Sequence, residues 1–158
     1  MPLEFVFLAD RVDAIPTVSK WYFDEWGHLS EGDSIERTRD RMQGYMNRDE
    51  IPFTLLATDD IEVVGAAQLK YHELVETFPD KEHWLGGVYV APGHRGHGYG
   101  SQIVEQIVEI APWYGVRTLY LQTEVLDGGL YARLGWTPHA LANNRGLDVL
   151  VMERRLSG

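Results

Sequence analysis

Between Val88 and Ser101 the chain reads VYVAPGHRGHGYGS, an apolar run, a proline, glycines at 96, 98 and 100, and then an apolar-periodic segment. Few structures accommodate that order. A strand must turn sharply into a helix, and backbone rather than side chain must line the turn. Glycine tolerates left-handed φ and lets a bulky group approach the main-chain N–H groups. Those N–H groups sit at the positive end of the following helix, where an anion is favoured. The segment therefore predicts a cradle suited to a diphosphate, or else a glycine-rich turn with no ligand.

Neighbouring residues narrow the choice. A dinucleotide loop, G-x-G-x-x-G, would need glycine where Ser101 stands, and its strand would not lie mid-chain. A triphosphate loop needs lysine after its last glycine, and none follows here. The remaining pattern is R-x-x-G-x-G after a V-x-V strand, met by Arg95, Gly98 and Gly100. The helix expected at 98–114 carries Ile103, Ile107 and Ile110 on one stripe with Val104, Val108 and Ala111 beside it. Glu105 and Glu109 fall opposite. Burial of the apolar half would hold the helix axis, and with it the N-terminus, at the glycine loop.

Further on, Leu119–Glu124 reads as a buried strand, and Gly129–Trp136 follows as GLYARLGW. The two segments together resemble the acetyl-CoA pyrophosphate loop and the closing L-Y-x-x-L-G-W signature of the GNAT N-acetyltransferase superfamily. Its small bacterial-type members are the nearest in pattern. The likeness covers the C-terminal half of the chain.

Length and composition fit one globular domain over residues 1–158: hydrophobic residues make up 44% and aromatics 11%. There is no cysteine, so disulfides, a thiolate zinc site and a covalent acyl-cysteine are excluded. The first ten residues lack the pattern of a signal peptide, and no apolar run approaches a membrane span, so a cytoplasmic protein without membrane contact is expected. A formal charge of −10 argues against a nucleic-acid partner and suits a cationic amine, although a solvated acidic surface accounts for it equally.

Along the chain, Leu3–Leu8 reads as a strand. Asp10 or Asp13 could cap a helix running to Gly27, with Pro16 in its first turn. Asp33 and Glu36 form a D-x-x-E cap for a helix reaching Arg48, whose Arg37, Arg39 and Arg41 read as a solvated face. Strands at 52–58 and 62–71 join at Asp59-Asp60, and 72–82 reads as a loop. Strands at 84–91 and 117–124 flank the long helix. A short helix at 128–134 and strands at 136–141 and 147–155 complete a β-α-α-β-β-β-α-β-α-β-β order. This is the resemblance's α/β (α+β) plan, a mixed, largely antiparallel sheet flanked by helices.

The resemblance implies an acetyl-CoA-dependent N-acetyltransferase acting on a primary amine by direct attack in a ternary complex. A non-catalytic acyl-CoA-binding module on the same fold is the alternative. Acetyl-CoA would be the cosubstrate, with no metal, and its binding would fall to Val88, Tyr89, Val90, Arg95, Gly96, His97, Gly98, Tyr99, Gly100 and Ser101. His94 and His97 are expected beside phosphate rather than on a metal, since no credible third ligand accompanies them. Gly86-Gly87 suits a bulge or a close backbone approach. Tyr131 matches the family tyrosine that protonates the leaving thiolate. The general base stays open: Trp84 falls where relatives carry a glutamate, leaving Glu82, His83 and Glu124 as candidates. Trp26, Tyr71, Glu73 and Trp84 are candidate contacts for the acceptor, a small-molecule or peptide amine; Trp21 is assigned to the core. The resemblance also allows a homodimer.

Overall fold

In a computed structural model that describes residues 3–156, the chain forms the expected order of elements. Met1, Pro2, Ser157 and Gly158, the ends of the expected single domain, lie outside the described residues. The strands are β1 (Glu4–Phe7), β2 (Phe53–Asp59), β3 (Glu62–Lys70), β4 (Trp84–Val90), β5 (Thr118–Thr123), β6 (Thr137–Asn144) and β7 (Leu147–Arg155). The helices are α1 (Ile15–Trp26), α2 (Ile35–Gln43), α3 (Tyr99–Ile110) and α4 (Gly129–Arg133). One sheet holds all seven strands in the order β1-β2-β3-β4-β5-β7-β6. Every pairing is antiparallel except β4 with β5.

Helices cover both faces, and the sequence of β2 shows why. Successive strand residues point to opposite sides. Leu55 joins the core under α3, while Leu56 joins the core under α1 and α2. The stripe read from the sequence is the buried one: Ile103, Val104, Ile107 and Ile110 are at most 4% exposed. Each such side chain contributes about 1.5–3 kcal/mol of burial, enough to fix the axis of a twelve-residue helix.

Four helix boundaries differ from the sequence expectation. Neither Asp10 nor Asp13 caps α1; Ala14 occupies that position without a side-chain bond. The two aspartates instead pair with Arg48 and Arg11, and short 3₁₀ turns lead into the helix. Ser34, not Asp33, caps α2 by accepting from the Arg37 N–H at 3.1 Å, and the helix stops at Gln43 before Gly44. Helix α3 ends at Ile110, because Pro112 has no N–H to continue it and a 3₁₀ turn takes over to Tyr114.

Two irregularities in β4 open the sheet at its centre. The register against β3 slips by one residue between Ala66 and Gln68, so β4 bulges, with Gly87 at φ +58°. The buried Tyr22 hydroxyl donates to the Gly87 carbonyl at 2.7 Å and pins the bulge to α1. On its other edge β4 meets β5 at a single registered pair, Trp84 with Tyr120, beyond which the strands part. From there the backbone of β4 has no strand partner on that side.

Candidate active site

A cavity of about 620 Å³ occupies the mouth of the β4–β5 gap. Its walls come from α1 (Tyr22, Trp26), α2 (Arg41), the end of β3 (Lys70), the bulge at Gly86–Val88, the end of β5 (Gln122 to Glu124), Tyr131 of α4 and the β6–β7 turn. The glycine loop lies at the far end of β4, with Gly98 as the N-cap of α3 at φ +77°. The first intrahelical bond runs from the Gln102 N–H to the Gly98 carbonyl, which leaves the N–H groups of Tyr99, Gly100 and Ser101 ahead of it. Gly98 has no side chain to satisfy them. A Cβ added at Gly96 or Gly98 would meet nothing within 4 Å, and one at Gly100 would only touch Leu130 and Val90. Protein packing therefore does not explain the glycine at 100, whereas an anion seated on the open N–H groups would. Arg95 is held beside the cradle, its Nε donating to the Val90 carbonyl at 2.8 Å and its guanidinium over the Tyr89 ring. These residues fit the diphosphate of acetyl-CoA.

Tyr131 reaches the cavity because α4 packs closely on β7. A Cβ at Gly128 would lie 2.9 Å from both Ala132 Cβ and Met152 Cε, so only glycine admits that approach. Asp127 accepts from the Gly129 N–H at 2.9 Å and starts the helix. Burial, and secondly the negative charge of Glu73, push the Tyr131 phenol up to about 12. Its hydroxyl has no protein hydrogen-bond partner among the described residues and is protonated at neutral pH.

Glu73 is the centre of a partly buried polar chain. Lys70 Nζ lies 2.9 Å from its Oε2, Gln122 Nε2 donates to Oε1 at 2.8 Å, and Asn144 Nδ2 donates to Gln122 Oε1 at 3.0 Å. Burial acts to lower the Lys70 pKa, but the charge of Glu73, the nearby Tyr45 and the hydrogen bond to Glu73 together outweigh it and the net shift is upward. Gly86 makes room for the pair: a Cβ there would overlap the Glu73 carboxylate and approach Lys70 Cε to 2.9 Å. The glycine pair thus serves two needs, close approach at Gly86 and the bulge at Gly87.

The structure brings some candidate residues together and separates others. Tyr131, Glu73, Trp26, Glu124 and Val88 line the cavity. Trp84 does not: it is fully buried, its Nε1 donates to the Lys81 carbonyl at 2.7 Å, and its ring packs by Phe78 and Tyr120. Tyr71 is exposed beside His83 and also lies outside the lining. Glu82 is exposed and away from the cavity, because His83 takes φ +77° and breaks the strand alternation that would have put Glu82 on the Trp84 face. Trp21 stacks on Tyr89 at 5.2 Å, a packing role as expected. Sequence reasoning missed Tyr22, Lys70, Gln122, Asn144 and Arg145. Arg41 is exposed, as expected of a solvated face, but it also lines the cavity and pairs with the buried Asp33 carboxylate at 2.8 Å. None of these carries a local motif.

No curated protein matches the chain. Solved structures with this fold include an aminoglycoside 6'-acetyltransferase of type Ii, 18% identical with a TM-score of 0.74, covering 100% of this chain and 99% of its own. A Salmonella typhimurium protein assigned as an acetyltransferase, solved with its cofactor acetyl-CoA, is 22% identical with a TM-score of 0.75 and coverages of 98% and 94%. A ribosomal-protein-alanine N-acetyltransferase from Brucella melitensis is 23% identical with a TM-score of 0.74 and coverages of 99% and 100%. Residues 15–136 match the model of the acetyltransferase (GNAT) family, and the chain belongs to that family.

Proposed function

We propose that this protein is an acetyl-CoA-dependent N-acetyltransferase that moves an acetyl group to a primary amine by direct attack in a ternary complex. The observation that carries the reading is the convergence of the Tyr131 hydroxyl and the Glu73 carboxylate on one cavity, at the mouth of the strand gap. Acetyl-CoA supplies an activated thioester. The loop from Arg95 to Ser101 binds its diphosphate, and the edge of Val88–Val90 that faces β5 without a strand partner holds the arm as an added strand would be held. A backbone N–H there stabilises negative charge developing on the thioester oxygen, a contribution of about 2.7–4 kcal/mol per donor.

The amine nitrogen bonds to the thioester carbon as the carbon–sulfur bond breaks. Tyr131 gives its proton to the departing sulfur. Glu73 has one hydrogen bond on each oxygen, which leaves acceptor capacity for the proton the amine sheds, directly or through water. With no cysteine in the chain, attack without an acyl-cysteine is the consistent route. Trp84, where relatives carry an acid, would favour the non-catalytic alternative, but Trp84 is in the core and Glu73 supplies a carboxylate on the cavity.

The test is CoA release from acetyl-CoA with a panel of primary amines at saturating concentration and pH 9, where free amine is abundant. Turnover with at least one amine is expected. Tight acetyl-CoA binding with no turnover of any amine would overturn the proposal.

A further inference from the structure

The charge of the cavity differs from the charge of the protein. The whole chain is strongly acidic, but the cavity is lined by three carboxylates and three cations: Asp33, Glu73 and Glu124 with Arg41, Lys70 and Arg145. Two of the carboxylates are matched internally, Asp33 by Arg41 at 2.8 Å and Glu73 by Lys70 at 2.9 Å. A multiply charged polyamine would therefore meet two internally matched ion pairs, one free carboxylate and one free cation.

Two linings remain without an opposite charge in contact among the described residues. Glu124 is exposed at the end of β5. Arg145 stands in the β6–β7 turn at φ +53°, and its guanidinium reaches across the chain to the Leu29 carbonyl at 3.3 Å and to Ser30 Oγ. Both acceptors are neutral. The planar guanidinium has five donors, so these two contacts leave several free for a carboxylate, the partner whose geometry it matches best. One free anion and one free cation on the same cavity complement a ligand that carries both charges. Trp26, Leu29 and Leu147 add apolar wall beside them.

We propose that the acceptor is a small zwitterion of the amino-acid kind, a primary amine bearing a carboxylate, with Arg145 binding the carboxylate and Glu124 drawing in the ammonium. The proposal rests on the N-acetyltransferase reading and names its substrate class. It excludes polyamines and amines without an acidic group as preferred acceptors.

The experiment compares the twenty free L-amino acids with their α-amides, 2-phenylethylamine and spermidine. Each is tested for CoA release with the full chain and acetyl-CoA, and by calorimetry on CoA-loaded protein. At least one free amino acid should bind and react about 10–100-fold better than its amide, the range expected for hydrogen bonds to a charged group. Arg145→Ala should bring the acid-to-amide ratio to within about threefold, and Arg145→Lys should restore part of it, because lysine keeps the charge and loses the fork. If Arg145 merely holds the mouth shut through Leu29 and Ser30, acid and amide would weaken together and the ratio would persist. A persistent ratio, equal affinity for acids and amides, a preference for spermidine, or no amino-acid binding at all overturns the proposal. Acid-over-amide discrimination in calorimetry without CoA release from any amine would refute the transferase reading and leave the zwitterion site standing.

Discussion

Replacing Tyr131 by phenylalanine removes one oxygen and leaves the ring, with its T-shaped packing on Trp136, in place. The phenol is pushed up to about 12 by burial and by Glu73. Against an ordinary value near 10, that favours the neutral form by about 3 kcal/mol. At pH 9 about one molecule in a thousand would have lost this proton, against about one in ten for an unperturbed tyrosine. If the hydroxyl protonates the leaving sulfur, Tyr131→Phe lowers the chemical step by about 10²–10³. Acetyl-CoA affinity should hardly change, and because the hydroxyl has no protein partner the melting temperature should stay within about 2 °C.

Single-turnover acetyl transfer from pH 7 to 10.5, with saturating amine, reads the effect without interference from product release. The wild-type rate should show no falling limb in that window. The same shift has a thermodynamic signature. The folded pKa lies above the unfolded one, so its stabilisation is complete below pH 10 and is lost as pH rises toward 12. The phenylalanine variant should lack that loss. Near-wild-type single-turnover rates in Tyr131→Phe would refute the general-acid assignment, and a wild-type limb centred near pH 10 would refute the argument from burial.

Two further substitutions test the scaffold around the site. Gly100→Val adds a side chain where the nearest protein atoms are 3.8 and 3.9 Å from the new Cβ. The melting temperature should therefore change by no more than about 2–4 °C, while calorimetry shows acetyl-CoA affinity falling at least tenfold; unchanged affinity would remove the loop from the site. Gly86→Ala forces the Glu73 carboxylate and Lys70 to move, and overpacking of this kind costs about 1–3 kcal/mol. Denaturant melts should show that loss, and kcat should fall more than acetyl-CoA affinity does.

The parts of the site legible in the sequence are those whose physics is local. The Gly96/Gly98/Gly100 alternation, the isoleucine stripe of α3, the Gly86-Gly87 irregularity and the Tyr131 signature each depend on residues within a turn or two of one another. Where a local rule has a competitor, sequence alone misleads. Asp33 is an acceptable cap by residue type, but Ser34 bonds the Arg37 N–H, and Asp33 is taken by Arg41. Strand alternation would give Glu82 the same face as Trp84, but the left-handed backbone at His83 ends the alternation.

The sequence by itself determined the order of elements, the family and the glycine-lined turn ahead of α3, because hydrophobic period and glycine spacing are written in consecutive residues. Only the tertiary structure decided which distant partners each charge meets. Glu73 receives Gln122 from 49 residues away, and Arg145 reaches Ser30 across 115. Such partners are chosen by how the β4–β5 gap and the β6–β7 turn come together in space. A side chain's charge is visible in the sequence; whether that charge is spent on a neighbour or left for a ligand depends on the fold.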